Sequence, residues 1–230
     1  MIMKYSTLNY ITMITTMLVA AFGCKEKGYS GEDGTEISVL VIYTPEAEAD
    51  ANASGFSDME TLVHERINYT NGIFSASGIV HQLVLTGIEQ TASEEEIATA
   101  RGVQNLHQNA VRGWLTGELQ DETTTLSEQR HEAQADLIVI LHSPLNGSTS
   151  GQARVVTGSH RYDYERSHAA ANWNSGNTFV HEVGHLFGAA HDEYRLNSVG
   201  ASPNVDYGQG YVDLNAGFRT MMSYTTECND

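Results

Sequence analysis

Two predominantly apolar runs, residues 37–43 (ISVLVIY) and 135–142 (ADLIVILH), constrain the fold more than any other feature of this sequence. Neither alternates apolar with polar residues, as a strand with one wet face does, so each is expected as a strand buried on both faces. Within 57–77, Leu62, Val63, Ile67, Thr70 and Phe74 recur at helical spacing, and Gly78 stands where the helix should stop. Residues 81–88 then alternate as a further strand. Ser93 with Glu96 forms a capping-box pattern ahead of a second amphipathic helix, whose inner face takes Ile97, Val103, Leu106, Val111 and Trp114. Strands alternating with long helices imply an α/β (α+β) domain around a twisted, mixed but mainly parallel sheet. The Gly-, Ser- and Thr-rich stretch 147–164 is expected as loops with a short edge strand around 153–156.

The segment His181-Glu182-Val183-Gly184-His185-Leu186-Phe187-Gly188-Ala189-Ala190-His191-Asp192 carries the chemistry. On a helix, His181 and His185 lie at i and i+4, so their imidazoles leave the same face and can share one Zn²⁺ at about 2.0–2.1 Å. Glu182 is offset by one position, outside the ligand set but near enough to take a proton from a water held by the metal. Gly188 can adopt positive φ, which turns the chain back so that His191 supplies a third nitrogen. Three histidines leave a position open, as a catalytic zinc requires. Chance assembly of these five residues at this spacing has a probability of about one in ten thousand. The other histidines, among them His64, His142 and His168, lack ligand spacing and are expected as surface or satisfied residues. No aspartate-rich loop supports calcium as a further ion.

Composition narrows the partners. With 12 Lys+Arg against 29 Asp+Glu, the net charge of -17 repels phosphate backbones and anionic lipid, which speaks against nucleic acid and acidic membrane surfaces. A length of 230 residues favours one domain, expected at 37–230, and a monomer. Residues 1–23 combine Lys4 with an apolar stretch at 11–22 that is shorter than the roughly 18–20 residues of a spanning helix, and read as an export signal. Val19-Ala20-Ala21-Phe22-Gly23-Cys24 resembles a bacterial lipobox, so Cys24 is a candidate lipid anchor, with an ordinary signal peptide as the alternative. Residues 24–36 then read as a flexible tether. Cys24 and Cys228 allow one terminal disulfide only if Cys24 is not lipidated. The expected location is the cell envelope, as a lipoprotein, or the secreted fraction.

The zinc pattern, followed by Arg219-Thr220-Met221-Met222-Ser223-Tyr224, resembles the metzincin metallopeptidases, whose motif continues downstream to a methionine turn. The runs ISVLVIYTPEA, ADLIVIL and YGQGYVDLNAGFRTMMSY extend the likeness to bacterial reprolysin-like and peptidyl-Asp metalloendopeptidases across most of 37–225. The resemblance implies a zincin domain with an active-site helix and a C-terminal subdomain carrying the methionine turn. It implies that Met222, or failing it Met221, packs beneath the histidines without ligating the metal. It further implies that Tyr224 stabilises the oxyanion, and that Asp192 is a structural acid of the reprolysin and adamalysin branch. Arg219 or another arginine would receive a substrate aspartate. No long prodomain, cysteine-switch peptide or animal-type disulfide set is recognisable.

Peptide-bond hydrolysis by a water activated at zinc and deprotonated by Glu182 is the expected chemistry. An extended protein or peptide substrate would lie antiparallel to an edge strand near 154–157. Two rival readings exist: a zinc-stabilised surface-binding lipoprotein without turnover, and a metallohydrolase of non-peptide amides. A base beside three ligands favours an enzyme over the first, and the methionine turn argues against the second.

Overall fold

The computed structural model describes residues 35–91, 128–144, 150–153, 168–200 and 208–224. The leader, Cys24, the expected helix after Ser93, residues 154–157 and Cys228 lie outside the described residues. Five strands form one sheet: β1 (Glu36–Tyr43), β2 (Gln82–Gln90), β3 (Leu137–His142), β4 (Gly151–Ala153) and β5 (His168–Asn172), in the order β2-β1-β3-β5-β4. All pairings are parallel except β4 with β5, so the sheet is mixed and mainly parallel, as the sequence pattern predicts. β1 and β3 are the expected runs, and every residue of β3 is buried. In β2 the simple alternation breaks, because Val39 pairs with Leu85 and Leu40 with Gly87, leaving Thr86 as a bulge. The Thr86 hydroxyl donates to the Val39 carbonyl at 3.2 Å.

Among the described residues, helices α1 (Pro45–Ala53), α2 (Met59–Ala76), α3 (Gly176–Leu186) and α4 (Glu193–Val199) accompany the sheet. The sequence pattern places α2 within two residues at each end. Its Asp58 cap accepts the Thr61 N–H, and Leu62, Val63, Ile67 and Phe74 join the core cluster. Helix α1 departs from expectation. Thr44-Pro45 reads as a strand stop, yet Thr44 is also an N-cap that accepts the Ala47 N–H at 3.1 Å, and Pro45 suits the first turn. Strand β5 departs too, since His-Ala-Ala-Ala-Asn has little strand character. Its position between β3 and β4 supplies the pairing, and its small Ala169 and Ala171 pack in one core with Phe179 and Val183 of α3.

The expected edge strand begins at Gly151 and is described as far as Ala153. After α4, the described residues hold β6 (Val212–Asp213) and β7 (Phe218–Arg219), which pair antiparallel. No helix among the described residues is long and apolar enough to cross a membrane.

Candidate metal centre

Helix α3 presents the motif. Ser175 caps its start by accepting the Thr178 N–H at 3.1 Å, and the buried Phe179, Val180, Val183 and Leu186 hold it to the core. It ends in a Schellman turn. The Ala189 N–H donates to the Gly184 carbonyl at 3.0 Å and the Gly188 N–H to the His185 carbonyl at 2.9 Å, with Gly188 at φ +89°. That left-handed residue redirects the chain. Ala190 then bridges to Gln209, and its N–H donates to the Gly208 carbonyl at 2.7 Å, which holds the strand-like segment leading into His191.

The three predicted histidines converge. His191 Nε2 lies 3.1 Å from His185 Nε2 and 3.1 Å from His181 Nε2. Among the described residues they are the group of His, Cys, Asp or Glu side chains placed to hold a metal ion. Two nitrogens bound to one tetrahedral zinc at about 2.0–2.1 Å lie about 3.3 Å apart, so the observed spacing fits a common ion. Tautomer chemistry agrees. His181 Nδ1 lies 2.7 Å from the Met221 carbonyl and His185 Nδ1 lies 2.7 Å from the Ala189 carbonyl. A carbonyl oxygen only accepts, so each Nδ1 carries the hydrogen and each Nε2 turns an unprotonated lone pair inward. Lone pairs converging at that distance repel one another unless a cation lies between them.

Electrostatics favour the same state. Burial, reinforced by the other two histidines, holds the His185 imidazole down at about 3. Burial and the adjacent His181 hold His191 at about 4, and burial lowers His181 as well. All three rings are therefore neutral at neutral pH, which is the form that ligates. Burial pushes the Glu182 carboxyl up to about 8. Glu182 is 4% exposed, and its Oε2 finds no hydrogen-bond partner among the described residues. A dication beside it would favour the carboxylate and offset that burial.

Met222 packs against α3. Met222 is 5% exposed and shares a small apolar cluster with Ala189. A Cβ at Gly184 would stand 2.5 Å from Met222 Sδ, so the sulfur rests against the helix backbone at Gly184, next to His185. Met221 contributes its carbonyl, not its side chain, to His181. Asp192 is 2% exposed and holds two elements at once: Oδ1 accepts the Arg195 N–H that starts α4, and Oδ2 accepts the Tyr224 N–H, both at 3.0 Å. The Tyr224 ring lies 4.8 Å from that of His191 and 6.3 Å from that of His181, with the Arg195 guanidinium 5.5 Å from its centroid. Arg219 donates through Nη1 to the Ser223 carbonyl. Of the other histidines, His142 and His168 are buried in the sheet and His64 faces Glu60 on α2, all outside the triad. Sequence reasoning misses the orienting carbonyls of Met221 and Ala189, because a backbone acceptor leaves no mark on residue type.

Sheet, helix and triad together define the class of this molecule, the metzincin-type zinc metallopeptidases. The chain belongs to metallo-peptidase family M12, whose reprolysin-type model matches residues 33–230. No curated protein matches the sequence. One solved structure, described as "Structure of a chaperone-substrate complex", contains a chain of 19% identity that superposes with a TM-score of 0.54. The match covers 84% of this chain and 29% of that one, and at such identity the likeness concerns the fold alone.

Proposed function

We propose that this chain is an exported endopeptidase that hydrolyses internal peptide bonds at a single zinc held by His181, His185 and His191. The observation that carries the reading is the convergence of the three histidine Nε2 atoms beside a helix whose Glu182, next in sequence to His181, keeps a buried carboxylate oxygen without a partner among the described residues. Bound zinc would polarise the scissile carbonyl and acidify the attacking water. Glu182 accepts the proton of that water as its oxygen bonds to the carbonyl carbon, then delivers it to the leaving nitrogen as the C–N bond breaks. A carboxyl shielded from solvent suits both halves of that exchange.

Tyr224 stands at the solvent side of the triad, 39% exposed, where its phenol can donate to the developing oxyanion. The Asp192 contact to its backbone keeps the ring beside His191. An extended substrate adds to the side of β4 that pairs with no other described strand, with backbone hydrogen bonds giving affinity. Export rests on residues 1–23, and attachment to the envelope on Cys24; a Cys24→Ser variant that stays in the membrane fraction would remove the lipid anchor.

The test is mass-spectrometric mapping of fragments released from a denatured protein mixture by residues 25–230, beside Glu182→Gln. Fragments with a shared cleavage register, absent in the variant, are expected; equal release by both, or none by either with zinc bound, overturns the reading. The register also reports whether an acidic residue follows the cut.

A further inference from the structure

We infer that Gly151, the first residue of β4, sets the position of the Glu182 carboxylate by having no side chain. This rests on the reading of Glu182 as the general base and names a residue that positions it. The strand and α3 approach so closely that a Cβ at Gly151 would stand 2.7 Å from Glu182 Oε1, 2.8 Å from Glu182 Cγ and 2.7 Å from Thr178 Cγ2. No carbon approaches a carboxylate oxygen or a methyl group that closely without displacing it. Thr178 is β-branched, held at the helix start by its backbone N–H and its hydroxyl to Ser175, and has little freedom to turn aside. Glu182 is the movable partner.

Gly151 does not owe its identity to backbone conformation. Its φ lies outside the left-handed region, so alanine can adopt the same backbone there. Nor is the strand adrift: Gly151 pairs with Ala171, and the Asn172 N–H donates to the Ser150 carbonyl at 2.8 Å. A paired edge strand therefore presses bare backbone against one side of the carboxylate, while Oε2 keeps no partner on the described side. Gly151 thereby fixes where the carboxylate lies and excludes water from that flank. It touches no reacting atom and acts through Glu182 alone.

Gly151→Ala tests this. Crystal structures of the metal-free and zinc-loaded variant are expected to show the Glu182 carboxylate turned away, with β4 still paired to β5. Kinetically, kcat should fall about a hundredfold with KM nearly unchanged, the scale on which a displacement of about 1 Å acts. The Co²⁺-substituted variant should keep the wild-type visible spectrum, because the three histidines do not move. If β4 shifts outward while Glu182 stays, with KM rising and kcat retained, the assignment is wrong. A parallel comparison of wild type with Glu182→Gln separates the two claims: wild type inactive with zinc bound refutes the peptidase reading, while the crystal structures still decide the role of Gly151.

Discussion

In β1 and β3, Val39, Leu40, Val41, Ile42, Ile138, Val139, Ile140 and Leu141 are each at most 2% exposed. The stretch from His191 to Tyr224, by contrast, has among its described residues one short helix and two strands of two residues each. Its place is kept by named polar contacts: Asp192 to Arg195 and Tyr224, Met221 to His181, and Thr220, whose N–H donates to the Tyr211 carbonyl and whose hydroxyl accepts the Tyr211 N–H. Aliphatic burial is redundant, and losing one side chain leaves the others in place. Directional bonds are few, and each fixes one atom. The sheet should therefore answer to mutation with lost stability, and the segment under the triad with lost chemistry.

The largest expected effect breaks the metal side alone. His185→Ala removes one of the three histidines placed to hold the metal, itself 3% exposed, and should abolish zinc retention after dialysis, and peptide release with it. Far-UV circular dichroism of the metal-free variant should match that of metal-free wild type. If the variant is unfolded instead, the sheet is not self-sufficient and the contrast fails.

Next comes the opposite case. Leu141→Ala empties a fully buried position in the central core cluster and should cost about 2–5 kcal/mol of stability, read as a lower denaturant midpoint. Activity per folded molecule should stay close to wild type. A large fall in kcat at full folding would show that the sheet transmits strain to the triad.

A smaller effect sharpens the contrast within the polar segment. Asp192→Asn keeps an oxygen to cap α4 but turns an NH₂ toward the Tyr224 N–H, so one of the two tethers is lost. A hydrogen bond to a charged group contributes about 1.5–3 kcal/mol, so kcat should fall roughly tenfold or more if that tether positions Tyr224. Zinc stoichiometry should persist. Unchanged kcat would remove Tyr224 from the chemistry.

The same division governs what the sequence discloses. Strands β1 and β3 are legible because burial on both faces demands continuous apolar residues, and α2 because one apolar stripe repeats with helical period. The convergence of His181, His185 and His191 is legible because i, i+4 spacing and a turning glycine leave few other arrangements. Strand β5 is not: alanines give no strand signal, and the residues that pair with it are remote in sequence. Helix α1 hides behind alanine as well, since its buried Ala47 and Ala51 make a faint stripe. The carbonyls of Met221 and Ala189 and the approach of Gly151 to Glu182 are invisible for another reason. They belong to backbone atoms brought together by the fold, and any residue type can supply a carbonyl.

The smallest effect concerns charge at the edge of the apolar half. Hydrogen bonds from the Thr61 N–H, then from the Thr61 and Ser57 hydroxyls, hold the Asp58 carboxyl below its usual range. A carboxyl whose folded value is depressed stabilises the fold above its unfolded value and loses that contribution as pH falls through the folded one. Asp58→Asn keeps the side-chain oxygen that caps α2, removes the charge and puts an NH₂ where Oδ2 accepts the Ser57 hydroxyl. Above the ordinary aspartate range of about 4, wild type should therefore melt slightly higher than the variant; the gap should close as acid protonates Asp58. Asp58 is on the sheet side, distant in kind from the triad, so kcat at neutral pH should be identical in the two proteins. A constant melting gap at every pH would mean that the cap acts through its shape and not its charge, and a change in kcat would tie the helix that packs on the sheet to the chemistry of α3.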